Sequence, residues 1–269
     1  MSPSDIDTQR GPSVAQDPQP PVATTVSAEE RFLLPVGMRV CVIVPALNEG
    51  ASVGAVVASV ERSLPGAQVV VIDDGSTDDT GARALEAGAV VVPLPVNVGI
   101  GGAVQTGYRF AARNGFDVAI QIDGDGQHDP AETHHLLGPI VRGEADMSIG
   151  SRWLGRGDYL APRGRRFGMR VLAALVTWRS GAEFTDTTSG FRAVGRKGIV
   201  LFAEHYPADF PEVETIVLGC RNYIRIVEVP VRMTHREHGT SSISGFRSGY
   251  YMARVILALL VGSTTWSGK

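Results

Sequence analysis

Four short apolar runs, each followed by a polar loop and then by apolar residues at helical spacing, constrain this chain more than any other feature. Residues 40–44 (Val-Cys-Val-Ile-Val) are continuously apolar and stop at Pro45, the pattern of a strand buried on both faces. Val53, Val56, Val57, Val60 and Leu64 then share one helical face. Residues 69–72 repeat the strand signature and lead through a Ser/Thr/Asp-rich turn into a helix over 82–87. Residues 90–92 make a third run, and Ala103, Val104, Gly107, Tyr108 and Ala111 face inward from the helix after it. Residues 118–122 make the fourth. This alternation predicts an α/β fold: a mainly parallel sheet flanked by helices on both faces.

The alternation lapses past residue 150. A stretch rich in Arg and Gly at 151–170 precedes a helix expected over 167–178. A strand is expected over 224–231, and a polar segment at 234–249 leads into a closing amphipathic helix. The amino terminus departs differently. Residues 1–38 carry five acids against two arginines and six of the sixteen prolines, with no apolar period before Phe32. Residues 1–37 are expected to form a disordered Pro-rich tail, because too little apolar surface is present to offset the entropy of ordering them. That leaves a main domain at 38–235 and a C-terminal segment at 236–269.

A net charge of −3 argues against general nucleic-acid binding, so no nucleic acid is expected as a partner. Cys41 and Cys220 have no CxxC or His-rich neighbour, which argues against a disulfide framework and a structural zinc site. The tail lacks the basic and apolar regions of a signal peptide. The most apolar stretch, 255–261, lies between Arg254 and Gly262. It falls short of the about 20 residues that span a bilayer, so no transmembrane helix is expected.

The polar clusters fall beyond the carboxyl ends of the strands, where ligands bind in open parallel sheets. They are Pro45 to Glu49, Asp73 to Thr80, Asn97 to Gly102 and Asp123 to Pro130. Each alone reads equally as turn and capping residues; four on one edge read as a site. The sharpest element is Asp123-Gly124-Asp125. Two carboxylates two residues apart at a strand end can face one hard cation, Mg²⁺ or Mn²⁺, leaving positions for diphosphate oxygens. Asp74 stands at a neighbouring strand end. A dinucleotide fingerprint is excluded on detail, because the Gly99-x-Gly101 sequence follows the third strand and has Val104 where the last glycine belongs. No phosphate-binding GxxxxGK[ST] loop occurs.

Pro45-Ala46-Leu47-Asn48-Glu49, Asp73 to Asp78, Asn97-Val98-Gly99 and Asp123 to His128 resemble, in order, the motifs of family 2 glycosyltransferases with the GT-A fold, a Rossmann-like nucleotide-diphospho-sugar transferase architecture. Gly150-Ser151-Arg152, Asp186 to Arg192 and Arg236 to Ser241 are similar to those of the dolichyl- and polyprenyl-phosphate sugar synthases within it. The resemblance covers roughly 39–249. It implies that Pro45, Asn48, Glu49, Asp74, Asn97 and Gly99 line the nucleotide-sugar pocket, with Asp74 at the base. It implies further that Asp123, Asp125 and Gln127 hold the metal, and that Arg152, Arg165 and Arg166 bind the acceptor phosphate, Asp123, Asp125 and Arg152 being the catalytic set. Arg236 and Ser241 would close over the donor phosphates. Met169 and Ser242 depart from the subgroup, which commonly carries Ser and Lys there.

The arginines point the same way on their own. Residues 152–170 hold six of them against Asp158 alone, and arginine forks suit phosphate. The expected reaction is inverting transfer of a sugar from a UDP- or GDP-sugar to a polyprenyl phosphate, for cell-envelope glycan or glycoprotein assembly. The expected place is peripheral, at the cytoplasmic face of the cell membrane, on the membrane surface alone or with a small separate membrane protein. Leu172, Leu175, Val176 and Trp178 are read as lying on lipid in preference to the core. The alternatives are transfer to a soluble or glycan acceptor, with Asp209, Glu212 or Glu214 as base, and a non-catalytic nucleotide-sugar-binding subunit. Glu212 and Glu214 are read either as reaching sugar hydroxyls or as ordinary acids at a helix start, and His128 as a phosphate contact or a helix cap. His134, His135 and His205 are read as surface or capping residues.

Overall fold

The computed structural model describes residues 34–154 and 163–232, with the backbone alone at 163–170. The first half follows the alternation: β1 (Val40–Ala46), α1 (Val53–Ser63), β2 (Gln68–Asp73), α2 (Thr80–Glu86), β3 (Val90–Pro93), α3 (Gly99–Arg113) and β4 (Val118–Gln121). A single 3₁₀ turn at Pro130–Glu132 then leads into α4 (Thr133–Val141), β5 (Met147–Ser151) and α5 (Arg163–Ser180). After these come β6 (Arg192–Gly195), α6 (Arg196–Glu204), α7 (Pro211–Arg221) and β7 (Ile226–Pro230). The seven strands form one sheet in the order β3-β2-β1-β4-β6-β5-β7. All neighbours are parallel except β6, which runs antiparallel to both β4 and β5.

Strand alternation divides the interior into two cores. In β1, Cys41 and Ile43 enter the core beneath α3, α5, α6 and α7, while Val40, Val42 and Val44 enter the one beneath α1 and α4. Val70 and Ile72 of β2 oppose Val69 and Val71 in the same way. The α1 face expected from spacing is the buried one: Val53, Val56, Val57 and Val60 are closed to solvent. Each such side chain stabilises the fold by about 1.5–3 kcal/mol.

The structure corrects the sequence reading in several places. Leu172 and Val176 are fully buried in the first core, against α7, so that face of α5 is not lipid-facing. Leu175 is partly buried against the same core, and Trp178 is exposed. Leu34, inside the stretch assigned to the tail, packs with Met38 against the second core. The segment 236–269 lies outside the described residues. Among the described residues no helix is long and apolar enough to cross a membrane.

Candidate active site

The loops leaving β1, β2, β3 and β4 converge because their strands are parallel neighbours. The β1 loop is clamped to the β2 loop. Asn48 takes a left-handed φ of 54°, which asparagine tolerates better than most residues. Its backbone N–H donates to Ser76 Oγ at 2.9 Å, and its side-chain oxygen accepts from the backbone N–H of Thr77 at 2.8 Å. The Glu49 N–H donates to Thr80 Oγ1 at 2.8 Å, and the Glu49 carboxylate accepts from Ser52 Oγ at 3.0 Å. That same hydroxyl also donates to the Gly124 carbonyl at 2.8 Å, tying the loop to the paired aspartates. Pro45 is buried within β1.

Asp74 is buried and anchors the third loop. Its two oxygens accept from the backbone N–H groups of Val98 at 2.8 Å and Gly99 at 3.0 Å, at the start of α3. The Asn97 side chain also accepts from the Gly99 N–H, at 2.9 Å. Gly75 permits this approach, since a Cβ there would lie 2.9 Å from Asn97 N and from Val96 C. Gly101 fits against a neighbouring segment, where a Cβ would come within 2.4 Å of the Pro207 carbonyl oxygen. Of the two glycines that mimic a dinucleotide fingerprint, Gly101 therefore serves close packing and Gly99 a left-handed backbone, at φ 82°.

Around Asp123 the supports come from three directions. Its backbone N–H donates to His128 Nδ1 at 3.1 Å, which leaves the proton of a neutral imidazole on Nε2, 3.6 Å from the Asp123 carboxylate. His128 is buried and stacked on Phe191, with ring centroids 4.9 Å apart. The helix cap that His128 was a candidate for is Asp129, which accepts from the Ala131 N–H at 2.9 Å. Gly190, in the loop entering β6 from this same edge, walls the other side. A Cβ there would lie 3.2 Å from Gln121 Nε2 and 3.5 Å from Asp123 Oδ1. Gly124 is tight as well, with a Cβ 3.2 Å from the Pro45 carbonyl oxygen. Asp125 accepts from the Gln127 N–H at 3.0 Å.

This donor set fits a hard divalent cation. Asp123, Asp125 and the Gln127 amide could each offer an oxygen to it, and Gly190 leaves unfilled the space beside Asp123 that a larger side chain would occupy. Among the described residues no three His, Cys, Asp or Glu side chains form a complete metal cage.

Arg152 is paired within the fold. Its guanidinium grips Asp186 with Nε at 2.7 Å and Nη2 at 2.6 Å, and Nη2 also donates to Thr188 Oγ1 at 2.8 Å. Asp186 is wholly buried, and its backbone N–H donates to Glu228 Oε1 at 2.7 Å. Glu228 Oε2 accepts from the Thr185 N–H at 2.6 Å. Burial pushes the Glu228 carboxyl up, opposed by these N–H groups. Glu212 and Glu214 open α7, as a helix start favours. Burial also raises the Glu212 carboxyl, with Arg192 pulling it down and Asp123 pushing it up. The side chains of Arg165 and Arg166, and all of Arg236 and Ser241, lie outside the described residues. His128 and Gly190 emerge as supports whose role the sequence did not fix, although both lie inside motifs. Glu228 carried no signal, being one polar residue in a short strand.

Residues 41–199 match the family described as Glycosyl transferase family 2. A Polyprenol monophosphomannose synthase of Mycolicibacterium smegmatis is 33% identical over 218 residues, 77% of this chain and 82% of that protein. An Undecaprenyl-phosphate mannosyltransferase of Micrococcus luteus is 32% identical over 224 residues, 77% of this chain and 88% of that one. Among solved structures, glucosyl-3-phosphoglycerate synthase of Mycobacterium tuberculosis, in complex with Mn²⁺, UDP-glucose and phosphoglyceric acid, aligns with a TM-score of 0.62 at 26% identity, covering 84% of this chain and 79% of that one. The fold is GT-A, and the site at its sheet edge is that of a glycosyltransferase. The chain belongs to glycosyl transferase family 2.

Proposed function

We propose that this enzyme transfers a hexose or N-acetylhexosamine, with inversion, from a UDP- or GDP-sugar to a polyprenyl phosphate. The observation that carries the reading is the Asp123/Asp125 pair, braced by His128, Gly190 and Ser52 beside the nucleotide-facing loops. Asp123, Asp125 and Gln127 would hold Mg²⁺ or Mn²⁺, which when bound neutralises charge on the leaving diphosphate. Pro45, Asn48, Glu49, Asp74, Asn97 and Gly99 line the donor pocket and orient the nucleotide. Asp74 does so with oxygens already held by α3, so it offers a fixed acceptor. Arg236 and Ser241 close over the donor phosphates.

Similarity to enzymes that act on polyprenyl phosphates supports this acceptor, and so does the chemistry. A phosphate monoester is largely ionised at neutral pH, its second pKa being about 6, so it attacks without a strong protein base. Arg165 and Arg166 orient it. Arg152 contributes by holding the Asp186 loop in place, since its fork is closed on that carboxylate. The basic stretch and the apolar segment 255–261 bring the enzyme to a membrane surface, alone or beside a small membrane protein.

The test is a donor panel of GDP-mannose, UDP-glucose and UDP-N-acetylglucosamine, each with polyprenyl phosphate or with 3-phosphoglycerate, in Mg²⁺ or Mn²⁺ and after chelation. Metal-dependent product on the lipid supports the reading. Product on 3-phosphoglycerate alone overturns the acceptor, and full turnover of Asp125→Asn in chelator overturns the metal assignment.

A further inference from the structure

Arg192 is a buried cation whose hydrogen-bond partners are all uncharged. It is 2% exposed and opens β6, opposite Gln121 of β4 on one side and Ile149 of β5 on the other. Nε donates to the Ser189 carbonyl at 2.7 Å, Nη1 to Thr215 Oγ1 at 2.6 Å and Nη2 to the Glu212 carbonyl at 2.5 Å. One guanidinium thus joins the loop that walls Asp123 to the first turn of α7. Those partners satisfy its donors but not its charge, and an uncompensated buried charge is costly. Burial raises the nearby Glu212 carboxyl, and Arg192 acts against that shift while Asp123 adds to it. Lysine would not reproduce this arrangement, since it lacks a planar fork that reaches several fixed acceptors at once.

The link to the donor site is geometric. Ser189, which accepts from Arg192, precedes Gly190, and Gly190 stands against Gln121 and the Asp123 carboxylate. Gln121 is also the strand partner of Arg192. A shift of the fork would therefore be passed to Asp123 both along the sheet and through the loop.

We propose that Arg192 is a positioning residue of the donor site: through the Ser189–Gly190 loop and its strand partner Gln121, its fork fixes where the Asp123 carboxylate stands for a divalent cation. This rests on reading Asp123 and Asp125 as the cation ligands and is independent of the acceptor. The alternative is that Arg192 only holds the fold together.

Binding of UDP and GDP to the full chain, titrated with Mn²⁺, separates the two. Groups that orient metal ligands typically change metal affinity by about 10–100-fold. Arg192→Lys should raise the Mn²⁺ concentration for half-maximal nucleotide binding by about tenfold or more, and Thr215→Val by a smaller factor. At saturating Mn²⁺ both variants should bind nucleotide to within about twofold of the native chain, which a partly unfolded protein would not do. An unchanged Mn²⁺ requirement in folded Arg192→Lys overturns the proposal, as does a loss that Mn²⁺ cannot restore and that follows the melting temperature. If Arg192→Lys does not fold, Thr215→Val decides by the same criteria. Asp125→Asn, run in parallel, tells the failures apart. If it keeps native Mn²⁺ dependence, the reading of the donor site has failed; if it alone loses that dependence, only the role of Arg192 has.

Discussion

His128 holds Asp123 through two different atoms: Nδ1 accepts the aspartate's backbone N–H at 3.1 Å, and Nε2 faces its carboxylate at 3.6 Å. The ring lies nearly parallel to Phe191, at 12°, so its plane is fixed by packing before any ligand arrives. Phe would keep that stacking while leaving the Asp123 N–H without its acceptor, at a cost of about 1–3 kcal/mol. His128→Phe is expected to lower turnover by about tenfold or more, and His128→Asn, whose side-chain oxygen can accept the same N–H, by less. Equal turnover in native enzyme and His128→Phe, measured at saturating donor and metal, would remove this role.

Gly190→Ala should harm activity more than stability. The added methyl meets Gln121 Nε2 at 3.2 Å and the Asp123 carboxylate at 3.5 and 3.6 Å. Side-chain ends can yield by the few tenths of an ångström required, so folding should survive. The methyl in contact with the carboxylate, together with the shifted Gln121 amide beside it, should then weaken Mn²⁺-dependent nucleotide binding by about tenfold. Native metal dependence with a lowered melting temperature would be the contrary result.

Breaking the Arg152–Asp186 fork should destabilise the chain by about 3–5 kcal/mol, because the remaining charge is left buried. The side chains are 12% and 0% exposed, so solvent screens them little. Arg152→Ala and Asp186→Asn should both show this in urea denaturation, and the double change Arg152→Met with Asp186→Leu should recover part of it. A large rise in acceptor KM without loss of stability would return Arg152 to the phosphate site.

Acid sensitivity should involve Asp146. Burial pushes its carboxyl up, but hydrogen bonds from the Arg225 side chain and backbone N–H outweigh that, so the net shift is downward. A carboxyl lowered on folding contributes stability above its unfolded pKa of about 3.9 and loses it as pH falls through the folded value. The difference in melting temperature between the native chain and Asp146→Asn should therefore be wide near about pH 6 and narrow below about pH 4. A difference that stays constant across that range would contradict the assignment.

The donor half was legible because its signals are local. β1, β2, β3 and β4 show as apolar runs, and the carboxyl end of each strand is a motif. β5 and β6 were not legible. Met-Ser-Ile-Gly-Ser and Arg-Ala-Val-Gly contain no apolar run, and what fills them is pairing with strands distant in sequence. The partner of Arg152 was hidden for a related reason. An arginine followed by five more reads as a phosphate binder, and nothing local shows that Asp186, far along the chain, pairs with it. Leu172 and Val176 misled because helical spacing shows that a face is apolar but not what covers it.

The reversed direction of β6 bears on how such a site can diversify. The segment before it runs from the end of α5 along the edge that holds Asp123, its Thr185 and Asp186 N–H groups donating to Glu228 of β7, and enters the sheet as a strand at Arg192. Ala182 and Phe184 are buried in the first core and Asp186 to Arg192 stays pinned by Arg152, Glu228 and Thr215, so changes of length before β6 are accommodated at the exposed turn at Gly181. The loops leaving β1, β2, β3 and β4 have no such slack, since each is tied to another by short hydrogen bonds. Lineages descending from this architecture should vary in length on one flank of the pocket and hold constant length on the other.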